Sequence, residues 1–242
     1  YLEKHQYNLN VVGLPKTIDN DITPIKQTLG AYTAAEQSCI FFKNIVNENT
    51  TSSRQLIIHE IMGRNCGWLT AYSAYHYMES LDKKFFLNDI QVIKNKWKIH
   101  GIYIPERKFD LEKESIRLRS CMDQFDCVNI FLSEGAGIDN IISEKKSKGE
   151  DITKDAFGHV RLDEINPGQW YADYFKKSLK CDKVLVQKSG YFARSAKPNE
   201  EDLKLIINHA DFAVVCALKN QSGVVGIDDK SNKLSCIDFN RI

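Results

Sequence analysis

The 242-residue sequence has none of the patterns that would assign it at once to a nucleic-acid, membrane or dinucleotide-binding class. It has no run of like charge, and its 33 Lys and Arg nearly balance 32 Asp and Glu, so composition does not predict a nucleic-acid partner. Its longest apolar runs, such as Asp211–Leu218, are too short to span a bilayer, so we expect no membrane partner. No GxGxxG follows a strand-like segment, which disfavours a generic dinucleotide-binding protein. Any site for an anionic substrate must therefore be built locally.

Cysteine is present, but without the spacing of a metal site. The seven cysteines stand singly, no CxxC pair occurs, and their number is odd. Most lie in apolar periodic stretches, where a thiol behaves as a small hydrophobic side chain. Hydrophobic residues make up 43% and charged residues 27%, which is typical of a globular protein. These features predict a reduced, cytoplasmic protein without disulfides or structural zinc.

The order of apolar segments predicts an α/β fold with parallel sheets covered on both faces. Residues 1–7 have the pattern of a helix end, so we expect a segment upstream of them. The predicted strands are Leu9–Val12, Gln55–Ile61, Ile102–Ile104, Cys127–Leu132, Lys183–Gln187, Gly223–Ile227 and Leu234–Phe239. The predicted helices are Thr28–Val46, Cys66–Met78, Leu111–Met122, Ile138–Lys146, Pro167–Leu179 and Asn199–Leu218, the last opened by an Asn cap and three acidic residues.

Four polar loops follow predicted strands, at the strand ends where ligands bind in such folds. The first, residues 13–21, combines Lys16 and Thr17 with the carboxylates Asp19 and Asp21. Phosphoryl transfer needs a base or an orienting group for the attacking hydroxyl and positive charge for the phosphoryl oxygens. The two acids also suit Mg²⁺, directly or through water. Taken alone, the same residues are equally typical of a surface turn.

The other three loops, residues 62–67, 133–137 and 189–194, suit a phosphorylated sugar. Gly63 permits close backbone approach to an anion, and Arg64 is a fork-shaped donor for phosphate. Glu134 ends the most apolar strand, where a carboxylate can accept hydrogen bonds from sugar hydroxyls. Tyr191 and Arg194 pair a hydroxyl with a guanidinium. Each loop taken singly also fits a structural role, as an ordinary turn, a helix-start acid or a core tyrosine.

Together the loops resemble the phosphofructokinases, and specifically their pyrophosphate-dependent branch. The resemblance runs in order over essentially the whole chain. It implies two Rossmann-like three-layer α/β domains with the active site in the cleft between them. It further implies that residues 1–30 end the first domain, 31–192 form the second and 193–242 return to the first. The matching segments are Gly13–Ile22, Ile61–Thr70, Asn129–Ala136, Asp155–His159 and Gln187–Arg194.

The resemblance implies reversible phosphoryl transfer from pyrophosphate to the 1-hydroxyl of fructose 6-phosphate, assisted by Mg²⁺, in a cytoplasmic homo-oligomer, a dimer or a tetramer. In this picture Asp19 takes the proton of the 1-hydroxyl, Lys16 sets the choice of donor, and Asp21 lines the reaction centre with Thr17. The residues implied to bind substrate are Thr17, Ile18, Asp19, Met62, Gly63, Arg64, Glu134, Tyr191, Phe192, Ala193 and Arg194.

Two departures from the family pattern accompany the resemblance. The family's phosphate-donor loop is a Gly-Gly-Asp segment that also supplies a metal-binding Asp, and no Gly-Gly pair occurs in this chain. We expect that loop, and with it the main Mg²⁺ ligand, upstream of residue 1, and we expect this chain alone to be inactive. Arg54 lies close to, but not at, a place where family subunits lend an arginine to a neighbour's site, and it is a candidate for that role.

Two alternative functions stay open within the same fold. An ATP-dependent phosphofructokinase typically has Gly at the position of Lys16, so this residue discriminates between the two donors. A non-catalytic regulatory subunit would be expected to lose the set formed by Thr17, Asp19 and Asp21, which is intact here.

Overall fold

The computed structural model describes residue 4 and residues 9–87, 92–153 and 160–242. The chain divides into two compact units, the first made of Tyr1–Ala34 and Ala196–Ile242 and the second of Ala35–Ser195. The predicted helix end at residues 1–7 (residue 4 apart) and the matching segment at residues 155–159 lie outside the described residues. The assignment of residues 1–30, 31–192 and 193–242 to domains stays a prediction.

The first unit contains a three-stranded sheet in the order β1–β6–β7. β1 pairs parallel with β6, whereas β7 pairs antiparallel with β6. The prediction of parallel sheets came from strands that alternate with helices, and no helix separates β6 from β7. The connection from β6 to β7 is too short for the crossover that parallel strands need, and it forms a hairpin instead. The strands are β1 (Val12–Gly13), β6 (Gly223–Ile227) and β7 (Leu234–Ile237), and the accompanying helix is α8 (Glu200–Leu218).

The second unit contains a four-stranded sheet in the order β3–β4–β2–β5, in which every pair is parallel, as predicted. All residues of β2 and β4 are buried, which explains why these segments read as continuous rather than alternating apolar runs. The strands are β2 (Gln55–Ile61), β3 (Gly101–Tyr103), β4 (Cys127–Ser133) and β5 (Lys183–Lys188). The helices are α2 (Trp68–Asp82), α3 (Leu111–Phe125), α4 (Ile138–Ser147), α5 (Leu162–Ile165), α6 (Pro167–Leu179) and α7 (Gly190–Arg194).

Helix α1 (Ala31–Ile45) begins in the first unit and continues in the second. Three short 3-10 helices complete the described structure, at Val46–Thr50, Lys94–Lys96 and Phe239–Arg241. Among the described residues, no helix combines the length and the apolar character needed to cross a membrane.

The segment at residues 189–194 differs from its prediction as a loop with a bend at Gly190. It forms the short helix α7, in which Ala193 N–H donates to the Ser189 carbonyl and Ser195 N–H donates to the Tyr191 carbonyl. Ala and Arg favour helix, and no residue of this segment has the positive φ of a sharp bend. The strand β5 is therefore followed by a helical turn rather than by an irregular loop.

A buried histidine sits in the core of the second unit. The His59 ring lies 5.4 Å from the Phe41 ring, 5.7 Å from the Phe42 ring and 4.9 Å from the Phe131 ring, measured between centroids. Within the described part of the chain neither ring nitrogen of His59 has a hydrogen-bond partner. Burial therefore lowers the pKa of His59 to about 3, because the charged imidazolium would lose its hydration without compensation.

We expect the free energy of unfolding to fall as the pH drops from about 6.5 towards 3. The folded chain keeps His59 neutral, whereas the unfolded chain binds a proton near its ordinary pKa of 6.5. The contribution of His59 is thus fully present above the unfolded pKa and is lost on acidification, by up to about 1.4 kcal/mol for each pH unit. Urea titrations of the parent and of His59→Phe at several pH values measure this slope.

His59→Phe has no imidazole at this position and should show a shallower dependence on pH. Burial lowers the pKa of His100 to about 4, so His100 contributes to the slope of both proteins and cancels in the difference. Parallel slopes in the two proteins would show that His59 is protonated without cost in the folded state.

Candidate active site

The loop that follows β1 is shaped by the side chain of Asn20. Its Oδ1 accepts hydrogen bonds from Thr28 N (2.8 Å) and Thr28 Oγ1 (3.1 Å), and its Nδ2 donates to the Lys26 carbonyl (3.2 Å). Asn20 has φ 55°, in the left-handed region that Asn tolerates better than most residues. A structural role for Asn20 was not predicted from the sequence. Its position between two aspartates, in a loop that follows a predicted strand, could have indicated that role.

Thr17, Asp19 and Asp21 lie together in this turn. Thr17 Oγ1 accepts from the backbone N–H of Asp19 (3.2 Å) and donates to Asp21 Oδ1 (3.3 Å). The Asp19 side chain is half-buried, whereas those of Asp21 and Lys16 are exposed. Ile18 is 4% exposed, so its side chain is packed within the unit, and its part in substrate binding stays a prediction.

The donor set of this turn is suited to a hard cation, but only in part. Among the described residues, no group of three or more His, Cys, Asp and Glu is placed to hold a metal ion. Mg²⁺ is commonly bound by one or two carboxylates, with phosphate oxygens and water completing its shell. The exposed carboxylate of Asp21 therefore fits a Mg²⁺ ion that also binds a phosphate, and the described residues of this turn do not fit a metal held by protein alone.

In the second unit, the register of β2 and β4 brings two of the predicted loops together. Ile61 pairs with Ser133, so both strands end at the same level. Glu134 N–H donates to the Ile61 carbonyl (2.9 Å), and Gly63 N–H donates to Glu134 Oε1 (3.2 Å). Gly63 has φ 130°, and a Cβ there would lie 2.4 Å from the Cys66 carbonyl oxygen. Only glycine fits this turn, and the turn holds Glu134 at the strand end.

A pocket of about 550 Å³ opens beside Glu134, at the ends of β2, β4 and β5. It contains four of the residues predicted to bind substrate. Tyr191, at 79% exposure, extends from α7 into solvent. At the pocket's margin Arg194 Nη2 lies 3.5 Å from Met62 Sδ. The lining residues are Glu60, Ile61, Met62, Glu134, Leu162, Lys188, Gly190, Tyr191 and Phe192.

The pocket contains an ion pair that was not predicted from the sequence. Glu60 Oε1 lies 2.9 Å from Lys188 Nζ, and Glu60 Oε2 accepts from Gly168 N (2.8 Å). Lys188 Nζ also donates to Asn166 Oδ1 (2.9 Å). The Glu60 side chain is 7% exposed, and a carboxylate buried to that degree needs such partners. The position of Glu60 within a buried strand could have indicated such a pair, since an unpaired charge would not be buried there.

Several predicted substrate residues lie elsewhere. Arg64 lines a separate pocket of about 410 Å³ together with Arg107 and Lys108. Ala193 is 4% exposed and packs within its unit. The Arg54 guanidinium donates to the carbonyls of residues 179 and 180 and pairs with a carboxylate of α3 at 2.9 Å. These contacts hold the guanidinium within this chain, and the role of Arg54 in a neighbouring subunit's site stays a prediction.

Relatives of known name share this sequence at high identity. The pyrophosphate–fructose 6-phosphate 1-phosphotransferases of Methylotuvimicrobium alcaliphilum and Mastigamoeba balamuthi are each 51% identical to it over 243 aligned residues. Both alignments cover 100% of this chain and 59% of the relative. The chain thus spans about 59% of the length of these relatives.

Solved structures show the same fold. The pyrophosphate-dependent phosphofructokinase from Marinobacter aquaeolei matches with a TM-score of 0.62 at 22% identity, covering 97% of this chain and 52% of that one. Pichia pastoris phosphofructokinase in the T-state matches with a TM-score of 0.64 at 22% identity, covering 98% of this chain and 21% of that one. These likenesses confirm the predicted α/β phosphofructokinase fold.

A family model described as phosphofructokinase matches residues 1–216, from the loop of Asp19 through the pocket of Glu134 and into α8. Since this match includes both groups of candidate residues and most of the chain, the chain belongs to the phosphofructokinase family.

Proposed function

We propose that the protein containing this chain transfers a phosphoryl group from pyrophosphate to the 1-hydroxyl of fructose 6-phosphate, giving fructose 1,6-bisphosphate and phosphate, reversibly. The observation that carries the proposal is the turn in which Thr17, Asp19 and Asp21 lie together beside Lys16. Such a turn offers a base, hydroxyl and carboxylate oxygens and a cation within a few residues. The relatives that are 51% identical to the chain are named for the same reaction, which supports the proposal.

In this proposal Asp19 is the general base. Its carboxylate accepts the proton of the sugar 1-hydroxyl as that oxygen attacks phosphorus and the bond to the leaving phosphate breaks. The hydrogen bond from Asp19 N–H to Thr17 Oγ1 fixes the backbone that carries the carboxylate. Asp21, exposed and in contact with Thr17, would share Mg²⁺ with the phosphate oxygens. The bound ion would supply positive charge to the oxygens of the transferred group.

The pocket of the second unit suits the sugar phosphate. Its volume of about 550 Å³ lies within the range of small-molecule sites. Glu134, held by Gly63, would accept hydrogen bonds from sugar hydroxyls. Lys188, anchored by Glu60, would contribute positive charge to the 6-phosphate beside Tyr191 and Arg194. The cytoplasmic homo-oligomer that belongs to the proposal is supported by the family resemblance alone.

Lys16 determines the donor in this proposal. When pyrophosphate is the donor, the leaving group is a small inorganic phosphate, and its charge needs compact local compensation. The exposed ammonium of Lys16 can supply that compensation. The same group would take up space and charge near the α-phosphate of ATP, so it also discriminates against a nucleotide.

We expect Asp19→Ser, made in the full-length protein, to lower turnover by about 10²–10⁴-fold, because the hydroxyl loses its general base. Steady-state kinetics with fructose 6-phosphate and pyrophosphate measure the change. Asp211→Ser is the matched control, since Asp211 is exposed on α8 and lies outside the loop. Turnover of the Asp19 variant within about tenfold of the parent would remove Asp19 from the role of base.

We expect Lys16→Gly to lower pyrophosphate-dependent turnover by about 10²–10³-fold, the effect of losing one electrostatic contact to a transition-state charge. Lys230→Gly, at an exposed turn of the same unit, should leave turnover unchanged. The parent is assayed with pyrophosphate and with ATP at equal concentration. A parent rate with ATP equal to or above the rate with pyrophosphate would assign the chain to the ATP-dependent branch instead.

We expect Lys188→Met to raise the KM for fructose 6-phosphate by about tenfold or more with little change in kcat, because a charged hydrogen bond to the phosphate is lost. The double variant Glu60→Gln with Lys188→Met avoids an unpaired buried carboxylate and should show the same KM. Lys183→Met is the control, since Lys183 lies at the other end of β5 and pairs with Glu48 at the surface. An unchanged KM in both Lys188 variants would exclude Lys188 from the phosphate site.

A further inference from the structure

The first unit contains a fully buried carboxylate that the proposed reaction does not use. Asp202 belongs to the first turn of α8 and is 0% exposed. Its Oδ1 accepts from Gly30 N (3.0 Å), and its Oδ2 accepts from both Thr33 N (2.7 Å) and Thr33 Oγ1. Although three acids at a helix start are expected to favour their own helix, the Asp202 side chain binds the start of α1.

These contacts satisfy donors that α1 cannot satisfy itself. The first N–H groups of a helix have no partner within the helix, and Thr33 N is one of them. A carboxylate is also favoured there by the partial positive charge of the helix start. Thr33 Oγ1 accepts in turn from Asn199 N (3.0 Å), and Asn199 Oδ1 caps α8 by accepting from Asp202 N (2.9 Å). The starts of α1 and α8 are thus bound to each other by reciprocal hydrogen bonds.

The segment next to Asp202 supports the loop of Lys16. Leu29 N–H donates to the Pro15 carbonyl (2.8 Å), and Leu29 forms an isolated parallel bridge with Lys16. Thr28 Oγ1 donates to the Thr17 carbonyl (2.7 Å). Residues 28–30 therefore form the backing to which residues 15–17 are hydrogen-bonded, and Gly30 at the end of that backing is held by Asp202.

We propose that Asp202 is a positioning residue for phosphoryl transfer, which it serves through Gly30 and Thr33 by fixing the backing of the loop that carries Lys16, Thr17 and Asp19. The expected effect on kcat rests on the proposed function, whereas the expected effect on hydrogen exchange near Gly30 does not. Asp202 touches neither substrate nor the reacting atoms. Its loss would shift the cation and the base relative to the transferred group, and a misplacement of about 1 Å costs on the order of 10²-fold in rate.

The test is Asp202→Asn in the full-length protein. Asn keeps the shape of the side chain. Its amide nitrogen is a donor, however, and cannot accept the hydrogen bond that a carboxylate oxygen of Asp202 accepts from a backbone N–H. We expect kcat to fall by about 10–100-fold while the KM for fructose 6-phosphate stays within about twofold. Hydrogen exchange of the backbone amides in residues 26–34 should become faster in the same variant.

A control separates positioning from stability. Cys216 is 1% exposed near the other end of the same helix, so Cys216→Ala should lower the thermal midpoint and keep kcat and the exchange of residues 26–34. Thr33→Val removes the hydroxyl that bridges Asp202 and Asn199 and should lower kcat, whereas Thr33→Ser should retain it. The Thr33 pair decides the question if Asp202→Asn does not fold.

Two results would overturn the proposal. One is an Asp202→Asn protein with a lower thermal midpoint but with kcat within about twofold of the parent, assayed where both are folded. The other is Thr33→Val with the kcat of Thr33→Ser. A parent that uses ATP rather than pyrophosphate would refute the proposed donor alone. The kcat comparison is then made with ATP, and the exchange measurement is unaffected by the donor.

Discussion

The second unit depends on one constraint, the register in which β4 and β5 pair with β2. Ile61 lies opposite Ser133, and Glu60 lies opposite Lys188. The residues that follow these three strands therefore lie at one edge of the sheet. Segments that are distant along the chain thereby share a single pocket. A slip of one residue would turn the opposite face of the slipped strand towards each side of the sheet, and in the β2–β5 pairing it would also separate Glu60 from Lys188. The position of the pocket thus follows from the register of these strands.

Backbone conformations that few residues tolerate then fix the polar groups at both loops. Gly63 is required by its φ of 130° and by the closeness of the Cys66 carbonyl, and it holds Glu134 through its N–H. Asn20 adopts φ 55° and uses its amide to bind residues 26 and 28, which keeps Thr17 and Asp19 in one turn. In both loops a residue with no chemical role sets the positions of those that we propose to act.

Charge in this chain is organised locally, because the total is close to neutral. The Glu60 carboxylate has Lys188 and a backbone N–H, and the Asp202 carboxylate has three donors from residues 30 and 33. A buried charge without such partners would destabilise the fold, so both carboxylates are buried together with the groups that bind them. His59 represents the other solution, since burial among aromatic rings keeps it neutral. The proposed anion sites are therefore built from a few cations at strand and loop ends rather than from a basic surface.

Local elements and the family could be predicted from the amino-acid pattern. The strands Gln55–Ile61 and Gly223–Ile227 and the helix Pro167–Leu179 are confirmed to the residue, because apolar runs, turn residues and an initial proline define them locally. Motif order was also sufficient to predict the phosphofructokinase family. The helix at residues 190–194, the Glu60–Lys188 pair and the contact of Asp202 with Gly30 became apparent only in the folded structure. The two contacts join residues 128 and 172 positions apart, and a contact at that separation depends on the folded path of the chain rather than on any local pattern.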